Sequence, residues 1–245
     1  MMKSFGLIGY PLDHSFSKSY FENKFLNENI KDVEYLNIEC QDLDELVNSK
    51  QLIKLDGFNV TIPHKENIIS YLDELSPEAQ LIGAINCVKN NGGKLVGHNT
   101  DYLGFLNSLN PIIKPHYKSA LVLGNGGATK AVIYALKKLN ITFEIVSRNS
   151  SFDYTDVDKK CIEKHQIIIN CTPLGTYPKI DSFPEIPYQF LSEKHILYDL
   201  VYNPKISRFL SYGKEKNCTI KNGMEMLTIQ AEQAWNIWNS KNYSN

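Results

Sequence analysis

A lysine and an aspartate, each at the end of a short polar segment, could share a proton in this chain. Lys65 closes the segment NVTIPHK (59–65), and Asp101 closes GHNTD (97–101). An ammonium beside a carboxylate can act as a general acid or base. Lys65 could also be a surface residue in the first turn of a helix, and Asp101 could simply cap the helix expected from Tyr102. Together they favour a catalytic pair in which Asp101 orients Lys65.

Two serines precede the first predicted helix and could hold an acidic group. Ser15 and Ser17 lie in GYPLDHSFS (9–17). One of them could be an ordinary N-cap residue. Two hydroxyls beside the free N–H groups of a helix start also suit a carboxylate. The segment therefore predicts a seat for the acid group of a small substrate.

A glycine-rich loop joins a short apolar strand at Ala120–Leu123 to an amphipathic helix. The loop holds the residues expected to contact a dinucleotide pyrophosphate, namely Gly124, Asn125, Gly126, Gly127 and Ala128. Glycines allow a tight turn and a close approach of the backbone, and the helix N-terminus favours the negative charge. Thr129 stands where the third glycine of the usual pattern would be. The strand–loop–helix context predicts a dinucleotide site.

The end of the following strand distinguishes between the two nicotinamide cofactors. Enzymes that use NAD usually place an acid about 20 residues beyond the glycines, on the ribose 2′-hydroxyl. Here the strand ends in Ser147-Arg148-Asn149 and has no acid at its tip. A guanidinium can pair with a 2′-phosphate, although Arg148 could also be a solvated loop residue. The sequence favours NADP.

These segments lie on two consecutive α/β stretches. The first contains a predicted strand at Gly57–Thr61 and a hairpin turn at Asn90–Gly93. After Asn110-Pro111 the pattern changes to short apolar strands alternating with helices, which is typical of a parallel sheet covered on both faces. We therefore expect an α/β fold with a Rossmann-type, doubly wound parallel sheet in the second part.

Bulk composition excludes several other classes of protein. The 245 residues hold 26 basic and 27 acidic side chains, so nucleic acid is not an expected partner. No apolar run approaches the roughly 18 residues that span a bilayer. The five cysteines and six histidines show no metal-ligand spacing, so no metal is expected. Unpaired thiols favour the cytoplasm.

Nine segments make the chain similar, from end to end, to the shikimate dehydrogenase family. They are GLIGYPLDHSFS, NVTIPHK, GAIN, NTD, GNGGATKA, the SRN turn, NCTPLG, DLVYNP and GMEMLTIQA. The resemblance implies NADPH-dependent, reversible reduction of 3-dehydroshikimate to shikimate, in a cleft between two domains. It implies a substrate and catalytic domain at 1–101 plus 223–245 and an NADP-binding domain at 102–222.

The resemblance also implies individual roles. Lys65 and Asp101 match the catalytic pair, and Ser147 and Arg148 match the 2′-phosphate site. Met226 matches a side chain packed against the nicotinamide. The implied substrate contacts are Ser15, Ser17 and Tyr202 for the carboxylate and Asn59, Thr61, Asn86, Asp101 and Gln230 for the ring hydroxyls. The chain departs from the family pattern at Asn125, Asn149, Thr176 and Ser207.

Two alternatives stay open at this stage. One is a quinate/shikimate dehydrogenase that prefers NAD, which would be favoured by an acid near Ser147. The other is a non-catalytic relative that senses the ligands, which would be expected to lack Lys65 or Asp101. A homodimer is one of the assemblies that this interpretation allows.

Overall fold

The computed structural model describes residues 2–13, 15–148 and 150–240. Their contacts divide the chain into two compact units. The first runs to Asp101 and resumes at Gln230, and the second is Tyr102–Ile229. The second boundary between the units, at Ile229–Gln230, lies beyond the boundary at residue 223 that the family resemblance implies. The reason is that Met226, near the start of the last helix, packs into the core of the second unit.

The described residues of the first unit form a mixed six-stranded sheet. Its strands are β1 (Lys3–Gly9), β2 (Val33–Glu39), β3 (Gly57–Val60), β4 (Glu74–Leu75), β5 (Cys87–Asn91) and β6 (Lys94–His98). They lie in the order β2-β1-β3-β5-β6-β4. β1 is parallel to β2 and β3, whereas β5 is antiparallel to β3 and β6. The hairpin predicted around Asn90–Gly93 is the β5–β6 connection.

Helices cover this first sheet with aromatic side chains. The helices are α1 (Phe16–Asn27), α2 (Leu43–Asn48), α3 (Pro77–Ile82) and the later turns of α8 (Met224–Asn239). Trp238 on α8 stacks on Phe5, with ring centroids 4.7 Å apart, and its indole N–H donates to the Val88 carbonyl over 2.9 Å. Gly57 leaves room for that indole, since a Cβ there would lie 2.3 Å from the ring. The C-terminal end of α8 is thereby fixed to the first sheet, in which Lys65 follows β3 and Asn86 directly precedes β5.

The described residues of the second unit form a parallel five-stranded sheet. Its strands are β7 (Ser119–Leu123), β8 (Thr142–Val146), β9 (Ile167–Asn170), β10 (Ile196–Asp199) and β11 (Thr219–Lys221), in the order β11-β10-β9-β7-β8. The helices are α4 (Asp101–Leu109), α5 (Gly127–Lys138), α6 (Lys159–Lys164) and α7 (Arg208–Glu215). Separate hydrophobic clusters cover the two faces of this sheet. The prediction of a doubly wound α/β fold is confirmed.

The strand order reverses between β7 and β9, and such a switch point is where open α/β sheets bind ligands. The glycine loop follows β7, and the NCTPLG segment follows β9. The loops touch at Gly124, where the backbone has φ +104° and a Cβ would lie 2.9 Å from the Thr172 methyl group. A side chain at residue 124 would therefore be strained and would also separate the two loops.

Local structure differs from the prediction in a few places. The short strands β4 and β11 and the helices α6 and α7 did not stand out in the sequence pattern. Lys65 does not lie in a helical turn; it lies in an irregular turn before a 3₁₀ helix at Asn67–Tyr71. None of the described helices is long and apolar enough to cross a membrane.

Candidate active site

Lys65 and Asp101 form a short, largely buried ion pair in the first unit. The Lys65 ammonium Nζ lies 2.6 Å from Asp101 Oδ2, and the side chains are only 15% and 8% exposed. The Lys65 carbonyl accepts a 2.7 Å hydrogen bond from Ile85 N, which fixes the turn after β3. Asp101 comes from the first residue of α4. The structure thus joins the two side chains predicted to form the catalytic pair.

Asn86 connects this pair to Gln230 and Thr100. Its amide Nδ2 faces three acceptors: Asp101 Oδ1 at 2.8 Å, Thr100 Oγ1 at 2.9 Å and Gln230 Oε1 at 3.1 Å. Its Oδ1 accepts from Thr100 N over 2.6 Å. The carboxylate of Asp101 therefore receives one donor on each oxygen, which fixes its plane. Asn86 orients the ion pair in addition to any contact with a substrate.

Asn59 lies next to this network, and both its side-chain oxygen and its side-chain nitrogen form hydrogen bonds within the protein. Its Oδ1 accepts from the Tyr35 hydroxyl over 2.8 Å, and its Nδ2 donates to the Asn86 carbonyl over 3.0 Å. Burial raises the pKa of Tyr35 well above its ordinary value, and a hydrogen bond with Ser17 acts in the opposite direction. Thr61 is half-buried one residue beyond β3. The predicted substrate residues Ser17, Asn59 and Asn86 are thus joined through Tyr35, which sequence reasoning missed.

Ser15 is the N-cap residue of α1 but does not cap it. Its backbone is extended, with φ −65° and ψ 122°, and its side chain makes no cap hydrogen bond. Its Oγ is buried and has no hydrogen-bond partner among the described residues. A buried hydroxyl without a partner costs roughly 1–3 kcal/mol, so an oxygen-rich ligand there would relieve a real penalty. This favours the carboxylate seat over the simple cap.

The second unit contains the predicted nucleotide residues. Gly126 is the N-cap of α5, and a Cβ built on it would meet nothing within 4 Å. Thr129 is fully buried; its hydroxyl accepts from Gly126 N and donates to the Gly124 carbonyl, both over 3.1 Å. Thr129 thus holds the loop where the usual third glycine is absent. Open space at a helix N-terminus, with Asn125 exposed beside it, fits a pyrophosphate.

The tip of β8 presents a basic side chain. Arg148 is exposed in the turn after β8, and Ser147 is half-buried. Burial raises the pKa of the nearby Tyr154, and the charge of Arg148 acts against that rise. Asn149 lies outside the described residues. An exposed guanidinium at this tip fits a 2′-phosphate.

The buried carboxylate of Asp199 connects the end of β9 with the segment that follows β10 through hydrogen bonds. It accepts hydrogen bonds from Asn170 Nδ2 at 2.9 Å, Val201 N at 3.0 Å and the Ser207 hydroxyl. Burial raises the pKa of Asp199 to about 6. Ser207, one of the departures from the family pattern, also accepts from Leu210 N and so caps α7. Its hydroxyl is the group that these contacts require. Sequence reasoning missed this carboxylate, although it begins the DLVYNP segment.

Two further residues predicted to bind substrate or cofactor, Tyr202 and Met226, also belong to the second unit. Tyr202 is half-buried in the loop after β10, and burial raises its pKa. Met226 is 6% exposed and belongs to the core cluster that contains Phe105 and Tyr198. The proposed contacts of Tyr202 with a carboxylate and of Met226 with a nicotinamide stay predictions.

Known proteins resemble the chain over nearly its whole length. A family model described as the shikimate dehydrogenase substrate binding domain matches residues 7–88. A shikimate dehydrogenase (NADP(+)) from Clostridium beijerinckii is 39% identical over 251 aligned positions, and the alignment covers 97% of this chain and 92% of that protein. The chain belongs to the shikimate dehydrogenase family. The family model covers the predicted substrate residues up to Asn86, including Lys65.

Solved structures of family members agree with the architecture. The shikimate 5-dehydrogenase from Thermus thermophilus, solved with NADP(H) and shikimate, has a TM-score of 0.87 and 30% identity, covering 97% of this chain and 94% of that one. A quinate dehydrogenase from Corynebacterium glutamicum, solved with NAD, has a TM-score of 0.86 and 26% identity, covering 97% and 94%. The fold is therefore shared by enzymes solved with NADP(H) and with NAD, so the fold alone does not decide the cofactor, and the side chains must.

Proposed function

We propose that this protein is the NADP-dependent shikimate dehydrogenase of aromatic amino acid biosynthesis. It converts 3-dehydroshikimate, NADPH and a proton into shikimate and NADP⁺, and the reaction is reversible. The single observation that supports the chemistry best is the 2.6 Å Lys65–Asp101 ion pair, oriented by Asn86. Its direct test is the rate at which the purified protein oxidises shikimate with NADP⁺.

In the reductive direction, Lys65 protonates the oxygen that becomes the new hydroxyl. Negative charge develops on the ketone oxygen as its carbon is reduced, and the ammonium of Lys65 stabilises that charge before its proton moves. Asp101 keeps the ammonium in place through Oδ2, while Asn86 holds Oδ1. In the oxidative direction the neutral amine takes the proton back.

The remaining roles position the two reactants. Ser15 and Ser17, with Tyr202, hold the substrate carboxylate, while Asn59, Thr61, Asn86 and Gln230 bond its ring hydroxyls. The loop from Gly124 to Ala128 binds the pyrophosphate of the cofactor, Ser147 and Arg148 bind its 2′-phosphate, and Met226 supports the nicotinamide side. When bound, NADPH supplies the hydride. The unit that begins the chain is accordingly the substrate and catalytic domain, and the unit from Tyr102 is the NADP domain.

One observation argues against each of the two alternative functions. A quinate/shikimate enzyme that prefers NAD is less favoured because Arg148, and no acid, stands at the tip of β8. A non-catalytic sensor is less favoured because both members of the ion pair are present and in contact. We further propose a cytoplasmic location, since all five cysteines are unpaired. A homodimer stays a prediction.

The carboxylate seat gives the first testable prediction. Changing Ser15 and Ser17 together to alanine should raise KM for shikimate by about tenfold to a hundredfold, the usual effect of losing hydrogen bonds to a charged group. The value of kcat should change much less, because the carboxylate does not react. Steady-state kinetics measures both constants. Ser19→Ala, at an exposed position of the same helix, is the matched control.

A neutral substrate sharpens this test. The primary amide of shikimate should bind the unaltered enzyme as weakly as shikimate binds the double variant. In the double variant, replacing shikimate by the amide should weaken binding only slightly further. If the amide is turned over as well as the acid by the unaltered enzyme, the serines have another role.

Cofactor choice gives the second prediction. Arg148→Ala should raise KM for NADP by about one to two orders of magnitude, because a charged contact to the 2′-phosphate contributes roughly 1.5–3 kcal/mol. Activity with NAD should hardly change. Ser147→Asp should reduce NADP use further, since it adds repulsion and an acceptor for the ribose hydroxyl of NAD.

The chain offers a matched control for this cofactor test. Arg208, its other arginine, is exposed on α7 beside Asp181, so Arg208→Ala should leave both cofactors unaffected. An equal loss with NADP and NAD in Arg148→Ala would show that Arg148 does not recognise the 2′-phosphate.

A further inference from the structure

The carboxylate of Asp199 receives two hydrogen bonds on one oxygen and a third on the other. Asn170 Nδ2, at the end of β9, and the backbone N–H of Val201, after β10, both donate to Oδ1, over 2.9 Å and 3.0 Å. The Ser207 hydroxyl donates to Oδ2. Asp199 is fully buried, so its charge is costly unless these donors compensate it. Oδ1 is the single atom at which the ends of two neighbouring strands are joined.

The first arm of this junction leads to the pyrophosphate loop. Because Asn170 Nδ2 donates to Asp199, the Asn170 Oδ1 is turned toward Thr172. It accepts hydrogen bonds from the Thr172 backbone N–H over 3.0 Å and from the Thr172 hydroxyl over 2.6 Å. These bonds hold the Thr172 methyl group against Gly124, where a Cβ would lie 2.9 Å from it. Asp199 thus fixes, through Asn170, the surface on which that loop lies.

The second arm leads to the start of the last helix, α8. The Val201 carbonyl accepts a 3.1 Å hydrogen bond from Gly223 N. Gly223 directly precedes α8, and a Cβ there would lie only 2.1 Å from the Leu200 carbonyl oxygen. Met226, in the first turn of α8, is the residue proposed to support the nicotinamide. Both arms therefore end beside residues that are proposed to bind the cofactor.

We propose that Asp199 is a positioning residue for the cofactor, which holds the pyrophosphate loop and the start of α8 in one arrangement through Oδ1. This inference rests on the proposed function, from which it takes the nucleotide site. The role differs from that of Arg148, which recognises only the 2′-phosphate. Loss of Oδ1 should therefore weaken the binding of NADP⁺ and of NAD⁺ by the same factor. Adenosine 2′-phosphate, which has neither pyrophosphate nor nicotinamide, should bind as before.

Binding to the whole protein tests this role without relying on activity. In calorimetric titrations at pH 8, Asp199→Ala should bind NADP⁺ and NAD⁺ each about tenfold or more weakly, since a small misplacement of binding groups has effects of this size. A ligand-observed NMR titration should show an unchanged affinity for adenosine 2′-phosphate. Asp199→Asn should recover most of the lost affinity, because its amide oxygen can still accept from Asn170 and Val201.

Ser207→Ala is the matched control, because it alters the same carboxylate at its other oxygen. The substitution removes the donor to Oδ2 and the side-chain cap of α7, so the Tm should fall. Affinity for NADP⁺ should stay within about threefold of the unaltered protein, since Oδ1 keeps both of its donors.

Thr172→Val repeats the test if Asp199→Ala does not fold. Valine keeps a methyl group against Gly124 but lacks the hydroxyl that bonds Asn170, so affinity for NADP⁺ should fall by about threefold to tenfold. Thr142→Val is its control, because Thr142 loses a 3.0 Å hydroxyl–carbonyl hydrogen bond at the opposite end of the sheet. That variant should bind NADP⁺ as the unaltered protein does.

Three results would overturn the positioning role. One is a folded Asp199→Ala protein, or Thr172→Val in its place, that binds NADP⁺ as tightly as the unaltered protein. Another is an equal loss of affinity for adenosine 2′-phosphate, which a general defect of the domain would produce. The third is an equal loss in Ser207→Ala. If the unaltered protein binds neither NADP⁺ nor NAD⁺, the proposed function itself fails, and the positioning role fails with it.

Discussion

Replacing Lys65 by alanine should lower kcat for shikimate oxidation by about two to four orders of magnitude, the usual contribution of a positioned acid or base. KM for shikimate should change far less, because the carboxylate seat and the ring contacts remain. The effect should be this large because Lys65 Nζ is the cation held at 2.6 Å by Asp101 in a largely buried position. Steady-state kinetics of the purified variant, with its Tm recorded, measures the effect.

An exposed ion pair provides the control for this substitution. Lys94 and Glu74 are also 2.6 Å apart, but their side chains are 53% and 56% exposed. Lys94→Ala should leave kcat unchanged. A Lys65→Ala enzyme that folds normally and keeps kcat within about threefold of the unaltered protein would refute the assigned acid/base role.

Asp101→Asn should also lower kcat, by about two orders of magnitude, through misplacement of Lys65. The carboxylate accepts from Lys65 on Oδ2 and from Asn86 on Oδ1. An amide has only one oxygen, so its NH₂ group would face one of these two donors. Lys65 would lose either its partner or the fixed orientation of that partner.

The double variant tests whether the two residues act as a unit. Residues of one catalytic unit are strongly non-additive, so Lys65→Ala with Asp101→Asn should be within about tenfold of Lys65→Ala alone. The same double-mutant cycle on Lys94 and Glu74 should show no effect on kcat at any corner. If the fold losses in kcat of the two single variants multiply in the double variant, Lys65 and Asp101 have independent roles.

The candidate pair could be predicted from the sequence because each member lies in a short motif of unusual composition. The sequence also indicated the parallel sheet, since its strands are apolar runs between helices. The glycine loop was recognisable because strand, loop and helix are adjacent in the chain. Signals of this kind are local, so they can be recognised without knowledge of tertiary contacts.

The remaining features depend on contacts between distant segments. The orientation of Asp101 requires Asn86, which bonds Thr100 and Gln230 as well. The turn at Lys65 is irregular although the sequence suggested a helix, and the bond from Ile85 N to its carbonyl fixes it there. Ser15 has the position of an N-cap but not its hydrogen bond. Propensity describes each segment alone and cannot anticipate these contacts.

The central claim is tested most directly by oxidation of shikimate and of quinate, each with NADP⁺ and with NAD⁺, by the unaltered protein. We predict that kcat/KM is highest for shikimate with NADP⁺, by about one order of magnitude or more over NAD⁺, and that quinate is the poorer substrate. Equal or better kcat/KM with NAD⁺, or a preference for quinate, would contradict the assignment in favour of the quinate/shikimate alternative. Absence of activity with all four combinations would contradict the catalytic function itself.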